Sequence, residues 1–428
     1  MPTLIHSPAP PRSERFPTVC LRKGSAKPLH GGHPWVFADA IARLDGPRPV
    51  AGDEVRVVDE RNACLGRGFY SPGSAIPVRI FSRADELITD DFLAARIDEA
   101  LALRIGVLGL GPQAPDEARS LAVAARSHET TAFRLINSEG DGLPGLIVDV
   151  YGDYLAVQSG TAGIERRLEK ILDLLEVRLK PKGIFDRGDA RARAIEKLDP
   201  PKVGPLRGSA PDKIEFARVN GLEHAFDLRS GCGQKTGLYL DQRQNRERFA
   251  QFARGRDILD VCCYSGGFAL HAAKAGAKSV TLIDSSEEAM ALAKANLERN
   301  GIDDADLYHA EWTEGFKMLR EAGRKFGAIV VDPPKFSRSR ETVMHALSGY
   351  RDLNAQVLRL LEPGGVLFTC SCSGNISETD FERAIASALR NSGRRGTLLE
   401  RRSAADDHPI PPGFDQGRYL KCLVVQVN

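Results

Sequence analysis

The most constraining feature of this sequence is a regular alternation of strand-like and helical segments over its C-terminal half. The helical segments, such as SEEAMALAKANLERN at 286–300, repeat apolar residues every three or four positions. The strand-like segments, in order, are ILDVC, SVTLID, DLYHA, AIVVD, VLFTC and LKCLVVQV. This alternation predicts an α/β domain built on a parallel, doubly wound sheet with helices on both faces. The last strand follows TLLERRSA through a loop rather than a helix, which predicts an antiparallel hairpin at the end of the sheet.

The N-terminal half has a different pattern and predicts two further domains. A chain of 428 residues exceeds the roughly 250–300 residues at which a single core stops growing. Short strands broken by turn residues over 18–90 predict a small β-barrel, and mixed strands and helices over 91–200 predict a compact α+β domain. The Pro- and Gly-rich stretch at 198–212 predicts a linker, so the α/β domain would cover 213–428.

Composition argues against several classes of protein. No uninterrupted apolar run approaches the roughly 18 residues of a membrane span, and balanced charges with 42% hydrophobic residues are typical of a globular protein. The eight cysteines lack the even spacing of disulfide-stapled secreted domains, which predicts a reducing, cytoplasmic location. No CxxC pair and no histidine at ligand spacing accompany them, so we expect no metal site.

Acidic residues close three successive strands of the predicted sheet, namely Asp260, Asp284 and Glu311. Ligands of such sheets bind at the carboxyl ends of the strands, where carboxylates can accept hydrogen bonds from ribose hydroxyls and an adenine amino group. Gly266 and Gly267 follow the first strand, but the GxGxxG spacing of a dinucleotide site is absent, which argues against NAD. Three carboxylates without a phosphate cradle favour a nucleoside that carries positive charge, and S-adenosylmethionine fits that description.

The fourth strand ends in VVDPPKF, which places Asp332 before two prolines and Phe336 shortly after them. The prolines fix the backbone and prevent a helix from starting there. A rigid loop that carries an aromatic side chain beside the cofactor is suited to holding a flat base. A plain turn is the alternative interpretation.

The fifth strand ends in FTCSCSG, a stretch with two thiols. Cys370 and Cys372 lie two positions apart and share a face in extended geometry. A thiol at this edge would face the same cavity as Asp332. For Cys370 we expect an inert, buried side chain, since free cysteine is among the most buried residue types.

Charge gives only a local indication of a partner. The net charge is +2, so nucleic-acid binding cannot be inferred from the overall balance. The segment at 242–256 carries five arginines, Arg243 and Arg246 among them, and one glutamate. A solvated helix face is the simplest interpretation, and a phosphate-binding surface is the alternative.

Several motifs, taken together and in order, resemble those of PUA-domain-containing class I methyltransferases that use S-adenosylmethionine to form 5-methylcytosine in large-subunit ribosomal RNA. The stretches are LRKGSAKPLHGGHPWVFADAI, FRLINSEGDGLPGLIVDVYGD, GCGQKTGLYLDQRQNR, DPPKF, SCSG and DHPI…GRYLK. The resemblance covers nearly the whole chain. It implies an N-terminal PUA-like RNA-binding barrel, an α+β middle domain and a Rossmann-like catalytic domain with a seven-stranded sheet. It also implies ribosomal RNA as the partner, and it makes RNA contact the preferred interpretation of 242–256.

The resemblance assigns roles to individual residues. Cys372 of SCSG would be the catalytic nucleophile, with Asp332 and Lys335 beside it. RNA would contact Arg243, Arg246 and Phe336. The cofactor site would be lined by Asp260, Tyr264, Gly266, Asp284, Glu311 and Asp332, with Lys235 and Thr236 flanking it. Two departures from the family pattern stand out, because Glu311 replaces an aspartate and VCCYSGGF has cysteines at unexpected positions.

The chemistry explains why this site needs a thiol. Cytosine C5 is a poor nucleophile, but addition of a thiolate at C6 turns C5 into an enamine carbon that can accept a methyl group. A free thiol has a pKa of about 8.5, and a nearby Lys335 would increase the thiolate fraction. Related enzymes place a second cysteine after the proline of the fourth-strand motif, where this chain has Lys335. The base that removes the C5 proton is therefore left unassigned.

Two other functions remain open at the level of sequence. Methylation of an exocyclic amine is one, since DPP followed by an aromatic resembles amino-methyltransferase loops, although the aromatic there stands one position earlier. The other is a non-catalytic RNA-binding assembly factor, which the presence of the acids, glycines and thiol disfavours. The sequence leaves the oligomeric state open, with a homodimer as one option.

Overall fold

A computed structural model describes residues 16–110, 130–212, 214–228, 237–336 and 342–428. Within these ranges the chain forms three larger sheets in sequence order and a two-stranded hairpin between the second and third. The first two sheets lie in the N-terminal half and the third contains the alternating segments. None of the described helices is long and apolar enough to cross a membrane.

The N-terminal sheet has six strands in the order β2-β6-β5-β4-β1-β3, and its pairs are antiparallel except for β1 with β4. Its core contains Val19, Val36, Val55 and Val78, all fully buried. In β4, Val55 and Val57 alternate with Glu54 and Arg56, the pattern of a strand with one buried face. The elements are β1 (Thr18–Leu21), α1 (Lys27–His30), β2 (Trp35–Val36), β3 (Ile41–Asp45), β4 (Glu54–Val58), β5 (Cys64–Tyr70) and β6 (Val78–Ser82).

The middle sheet has five strands in the order β11-β10-β9-β8-β7, with helices packed on it. Helix α4 buries Leu168, Ile171, Leu172 and Leu175, a spacing that places one apolar stripe against the sheet. The elements are α2 (Asp90–Leu101), β7 (Ala132–Asn137), β8 (Leu146–Tyr151), β9 (Tyr154–Ser159), α3 (Ala162–Glu165), α4 (Leu168–Leu179), β10 (Gly183–Asp186), α5 (Ala190–Ile195) and β11 (Pro205–Gly208). The separate hairpin is β12 (Glu215–Val219) and β13 (Leu222–Phe226).

The C-terminal sheet has seven strands in the order β16-β15-β14-β17-β18-β20-β19. All neighbours are parallel except β20, which is antiparallel to both β18 and β19. The predicted doubly wound sheet and its terminal antiparallel hairpin are therefore confirmed. The elements are α6 (Arg243–Ala253), β14 (Asp257–Val261), α7 (Gly267–Lys274), β15 (Ser279–Asp284), α8 (Glu287–Arg299), β16 (Asp306–His309), α9 (Trp312–Glu321), β17 (Phe326–Val331), α10 (Val343–Val357), β18 (Leu361–Ser371), α11 (Glu378–Asn391), β19 (Gly396–Arg402) and β20 (Lys421–Val427).

Both faces of this sheet are covered by helices. Helices α9, α10 and α11 bury Phe316, Tyr350 and Phe381 on one face. Helices α6, α7 and α8 cover the other face, with Phe249 and Phe268 in its core. Because both faces are buried, the central strands are continuous apolar runs, and polar side chains are concentrated where those strands end.

The segment before β20 ties the catalytic sheet to the middle sheet. The Asp407 carboxylate is fully buried and accepts hydrogen bonds from the Arg134 backbone amide at 2.9 Å and from the Arg243 guanidinium at 3.4 Å. Its backbone carbonyl accepts one from Arg104 at 2.9 Å. The Asn137 amide donates to the Pro409 carbonyl at 2.8 Å. The DHPI stretch therefore connects the two domains through buried polar contacts.

Candidate active site

A cavity of about 590 Å³ lies at the carboxyl ends of β14, β15, β17 and β18. This is the edge where ligands bind in doubly wound sheets. Its wall combines aromatic, acidic and sulfur-bearing side chains. The lining includes Tyr239, Asp241, Gln242, Arg246, Cys262, Cys263, Tyr264, Gly267, Phe268, Asp284, Glu311, Trp312, Asp332, Lys335, Phe336 and Cys372.

The loop after β14 has a strained backbone. Cys262 and Tyr264 have positive φ values of 59° and 49°, a region that residues other than glycine seldom adopt. The Tyr264 hydroxyl donates to the Gly237 carbonyl at 2.8 Å, and its ring meets the Tyr239 ring edge to face at 5.2 Å. Strain of this kind is concentrated at functional sites, where neighbouring contacts hold it in place. Gly266 completes the turn at φ 70° and starts α7 without lining the cavity itself.

Asp284 and Glu311 lie at the ends of β15 and β16, on the cavity wall. The Asp284 carboxylate accepts backbone hydrogen bonds from Tyr264 and Ser286, both at 2.9 Å, which fix its orientation. Glu311 is exposed and precedes α9 without using its side chain to cap that helix. Two carboxylates at neighbouring strand ends can accept hydrogen bonds from ribose hydroxyls and an adenine amino group.

Asp260 lies behind the cavity rather than on its wall, which corrects the expectation that it lines the cofactor site. Strand β14 continues to Val261, so Asp260 is inside the strand and is only 1% exposed. Its carboxylate accepts the Ala269 backbone amide at 3.0 Å and so anchors the first turn of α7. Burial raises the pKa of Asp260 to about 7, an effect that the Ala269 hydrogen bond opposes and the charge of Asp332 reinforces.

We expect the ligand-free protein to lose an Asp260-dependent part of its stability as pH rises. A carboxyl whose folded-state pKa is raised stabilises the fold below its unfolded pKa, about 3.9, and this contribution disappears as pH rises towards 7. The contribution is on the order of a few kcal/mol. Asp260→Asn keeps an acceptor for Ala269 and does not titrate. Thermal unfolding should therefore show that the melting temperature of the variant, relative to that of the wild type, is higher at pH 8 than at pH 5. An equal difference in melting temperature at both pH values would contradict this account.

The loop after β17 is held rigidly at the cavity. The Asp332 carboxylate accepts a hydrogen bond from the Gln242 amide at 3.0 Å, and its backbone amide donates to the Val261 carbonyl at 3.2 Å. Phe336 lies against the Tyr350 ring with 4.7 Å between the centroids. Lys335 is exposed at the rim. The loop thus presents a carboxylate, a cation and an aromatic edge to the same space.

The two thiols at the carboxyl end of β18, those of Cys370 and Cys372, have different environments. Cys370 is fully buried in the core and faces Cys422 across the β18–β20 pair, and the Cys422 thiol together with burial raises its pKa. Cys372 follows the end of β18, is half-buried and lines the cavity with Asp332. The expectation of an inert, buried Cys370 agrees with this placement, and Cys372 is the thiol that a ligand can reach.

Lys421 supports the segment that carries Cys372. The residue is 4% exposed, and its ammonium donates to the carbonyls of Ser373 at 2.7 Å and Ile376 at 2.9 Å. Burial lowers the pKa of Lys421 to about 8, although the charge of Cys372 opposes that shift. The two hydrogen bonds fix the turn that follows the thiol, and the positive charge lies within electrostatic range of it.

Replacement of Lys421 by methionine is expected to lower kcat about 10- to 100-fold, because hydrogen bonds from a charged donor contribute about 1.5–3 kcal/mol and hold the Cys372 segment in place. The affinity for the methyl donor should stay unchanged, since Lys421 does not line the cavity. Lys325→Met is the matched control, because this exposed lysine also donates to a carbonyl, that of Arg359, away from the site. Equal kcat values for the two variants would contradict the positioning role.

The structure corrects the interpretation of Arg243 and Arg246 as RNA-binding residues. Arg243 is 6% exposed and Arg246 is 4% exposed, so neither side chain presents its charge to solvent. Arg243 points to Asp407 and Asn220, whereas Arg246 donates to the Tyr239 carbonyl at 2.9 Å and lines the cavity. Lys235 and Thr236 lie outside the described residues. Gln242 and Lys421 were missed, because their partners are about 50–90 positions away in the sequence.

The residues of the cavity fit S-adenosylmethionine. Asp284 and Glu311 suit the hydroxyls of an adenosine, and the acids around the cavity suit a ligand that carries positive charge. Arg246 offers two buried donor atoms, Nε and Nη1, without hydrogen-bond partners among the described residues. These donors suit the carboxylate of an amino acid.

Comparison with known proteins agrees with the assignment of this cavity to S-adenosylmethionine. A family model described as a PUA-like domain matches residues 19–83, and one described as an S-adenosylmethionine-dependent methyltransferase matches residues 208–421. The solved chain SMU.776, described as a methyltransferase complexed with SAH, has a TM-score of 0.79 at 20% identity and covers 96% of this chain and 99% of its own. That likeness shows the shared fold.

Curated relatives match the chain over almost its full length. Ribosomal RNA large subunit methyltransferase I of Shewanella denitrificans is 38% identical over 413 residues, which is 96% of this chain and 99% of that protein. The protein of the same name from Photobacterium profundum is 35% identical over 414 residues, with the same coverage. With the methyltransferase sheet, the cofactor cavity and a PUA-like domain all in place, the chain belongs to the S-adenosylmethionine-dependent methyltransferase family that includes these ribosomal RNA large subunit methyltransferases I.

Proposed function

We propose that this protein methylates carbon 5 of a cytosine in large-subunit ribosomal RNA through a covalent adduct with Cys372. The observation that carries the proposal is the position of Cys372, whose thiol lines the donor cavity with Asp332 on the neighbouring strand. The names of the curated relatives support ribosomal RNA as the substrate. The thiol supports cytosine C5 as the target, because that carbon needs nucleophilic activation before it can be methylated.

Each reacting group of the chain has a defined task in this mechanism. The Cys372 thiolate adds to C6 of the base, which places negative charge on the ring and makes C5 nucleophilic. Asp332, oriented by Gln242, hydrogen-bonds to the Watson–Crick edge and favours the protonated base. The bound S-adenosylmethionine supplies the methyl group as a sulfonium electrophile. Loss of the C5 proton to a base then breaks the bond between C6 and the Cys372 sulfur and restores the thiolate.

The target base must leave any helical stack to reach this thiol. A second cavity of about 630 Å³ lies between the middle sheet and the catalytic domain and shares Asp189, Tyr239, Asp241 and Lys335 with the first. Arg187 and Lys202 of the middle domain line it, and Lys335 lies where the two cavities meet. Asp186, Asp189 and Asp241 also line this cavity, so we assign the phosphates on either side of an extruded nucleotide to its cationic side chains, Arg187, Lys202 and Lys335.

We expect Lys202→Gln to weaken RNA binding at every sequence tested and to make it less sensitive to salt. Removal of one phosphate contact lowers the slope of log K against log salt concentration by about 0.7–0.9. Lys278→Gln is the control, because Lys278 is exposed at the amino end of the sheet beside Asp257. Filter binding between low and physiological salt measures both variants, and an unchanged slope for Lys202→Gln would place the RNA elsewhere.

Nucleoside analysis tests the proposed function. Unmodified large-subunit ribosomal RNA is incubated with the protein and labelled methyl donor, digested to nucleosides and separated by chromatography with mass detection. We expect the label in 5-methylcytidine. Label in a nucleoside methylated on an exocyclic amine would replace the proposal with the amine chemistry that the DPP loop also resembles, and no labelled nucleoside on either naked RNA or assembling subunits would exclude catalysis.

A further inference from the structure

Arg246 carries a buried positive charge on the wall of the donor cavity. The residue lies on α6 and is 4% exposed. Its Nη2 donates to the Tyr239 carbonyl at 2.9 Å. In the part of the chain that the structure describes, its Nε and Nη1 have no hydrogen-bond partner. Since a guanidinium presents five donors in a planar fork, most of its hydrogen-bonding capacity is unused.

An isolated buried charge is unfavourable, so a partner is expected when the protein is at work. Burial lowers the pKa of Arg246, and the charges of Asp241, Asp332 and Asp260 offset this only in part. Neither Nε nor Nη1 of Arg246 hydrogen-bonds to any of these acids among the described residues. A carboxylate from a ligand would pair with the fork and remove the penalty.

The surroundings of the guanidinium also favour an anion. A Cβ atom at position 267 would lie 2.6 Å from Nε and 2.9 Å from Cζ of Arg246, so Gly267 provides the space that the guanidinium occupies. Gly267 is the first residue of α7, an eight-residue helix whose amino end points at the cavity wall. The guanidinium and the amino terminus of α7 lie side by side and both can bind an anion, although Asp260 already accepts the Ala269 amide of the same turn.

The methyl donor has one group that matches this region. Its adenosine end suits Asp284 and Glu311, which follow β15 and β16 on one side of β14. Arg246 comes from α6, which packs on α7 and on β17, the strand on the other side of β14. A ligand that spans the strand ends therefore brings its amino-acid end towards Arg246.

We propose that Arg246 binds the α-carboxylate of the methyl donor and makes the cavity selective for nucleosides that carry an amino acid. The proposal rests on methyl-donor binding by this cavity, and it does not depend on which base is methylated. Arg246 would then be a specificity residue for the cofactor, in place of the RNA contact predicted from its position in an arginine-rich run.

Calorimetric titration of the ligand-free, full-length protein tests this without RNA. The two ligands are S-adenosylmethionine and decarboxylated S-adenosylmethionine, which differ only in the carboxylate. We expect the wild type to bind the first about 10- to 100-fold more tightly, the range for a charge-assisted hydrogen-bonded pair. Arg246→Met should bind both ligands with the affinity that the wild type has for the decarboxylated one. Arg246→Lys, which keeps the charge and loses the fork, should discriminate to an intermediate degree.

Arg248→Met is the matched control, because Arg248 lies on the same helix and pairs with Glu400 away from the cavity. It should keep the discrimination of the wild type. Equal binding of the two ligands by the wild type would overturn the proposal, and this comparison needs no variant that might fail to fold. Undiminished discrimination by a folded Arg246→Met or Arg246→Lys would overturn it as well. Failure of the nucleoside analysis to find 5-methylcytidine would leave these affinities unaffected, so the two proposals can be told apart.

Discussion

Replacement of Cys372 by alanine is expected to lower kcat for methyl transfer by at least about a thousandfold, because the base is then not activated at C6. Cys372 lines the cavity without belonging to the hydrophobic core, so the fold should be retained. Binding of the methyl donor should change little, since donor contacts are made by other residues. Steady-state transfer to unmodified ribosomal RNA measures kcat, and calorimetry measures donor affinity.

Cys370→Ala is the matched control for this prediction. Both changes remove one sulfur, and the two positions are two residues apart in the same segment. Cys370 is buried against Cys422, so its loss should cost some stability and leave kcat within a few-fold of the wild type. If Cys372→Ala transferred methyl groups as fast as Cys370→Ala, the thiol would not be the nucleophile.

The largest effect on stability is expected from Asp407→Ala. This carboxylate is fully buried and accepts hydrogen bonds from Arg134 of the middle domain and Arg243 of the catalytic domain. Its removal leaves the Arg243 guanidinium and an amide without their acceptor, and breaking a buried charge pair costs about 3–5 kcal/mol. Urea unfolding of the wild type and the variant at neutral pH should show this difference.

The pH dependence of that difference follows from the pKa of Asp407. Burial alone would raise the pKa, but the His408 ring, the Arg243 charge and the Arg134 amide hold it well below its usual range. A carboxyl with a depressed folded pKa stabilises the fold above its unfolded pKa and loses this effect as pH falls through the folded value. The difference in the free energy of unfolding between the wild type and Asp407→Ala should therefore become smaller below about pH 4. Asp406→Ala is the control, because Asp406 is exposed, and a loss equal to that of Asp407→Ala would contradict the account.

The positions of the strand ends could be predicted from the sequence because parallel strands buried on both faces are continuous apolar runs that stop at polar residues. Asp284, Asp332 and Cys372 lie where such a run ends, whereas Glu311 follows β16, a largely exposed edge strand, and all four line one cavity. Asp260 was placed there too, but β14 runs one residue further and leaves it in the interior. Because side chains alternate along a strand, a shift of one residue is enough to turn a side chain away from the cavity that the sequence predicts it to line.

The role of the arginine-rich run could not be predicted, because burial depends on residues far away in the sequence. Local composition describes 242–256 as a polar helix, and a polar helix is normally solvated. In the fold, Arg243 meets Asp407, which is 164 positions further along the chain, and Arg246 lies beside Gly267 of α7. Lys421 was missed for the same reason, since a lysine at the start of a strand gives no local sign of the carbonyls it will bind.

The central claim is that the sulfur of Cys372 forms a bond to C6 of a cytosine. The most direct measurement uses a ribosomal RNA fragment in which 5-fluorocytidine replaces cytidine, because the fluorine prevents the elimination that would release the thiolate. With the methyl donor present, the wild type and Cys370→Ala should form an RNA–protein adduct that survives denaturing gel electrophoresis, and peptide mass analysis should place the RNA on Cys372. Absence of an adduct from the wild type on a fragment that it methylates when unmodified, or an equal yield from Cys372→Ala, would contradict the claim.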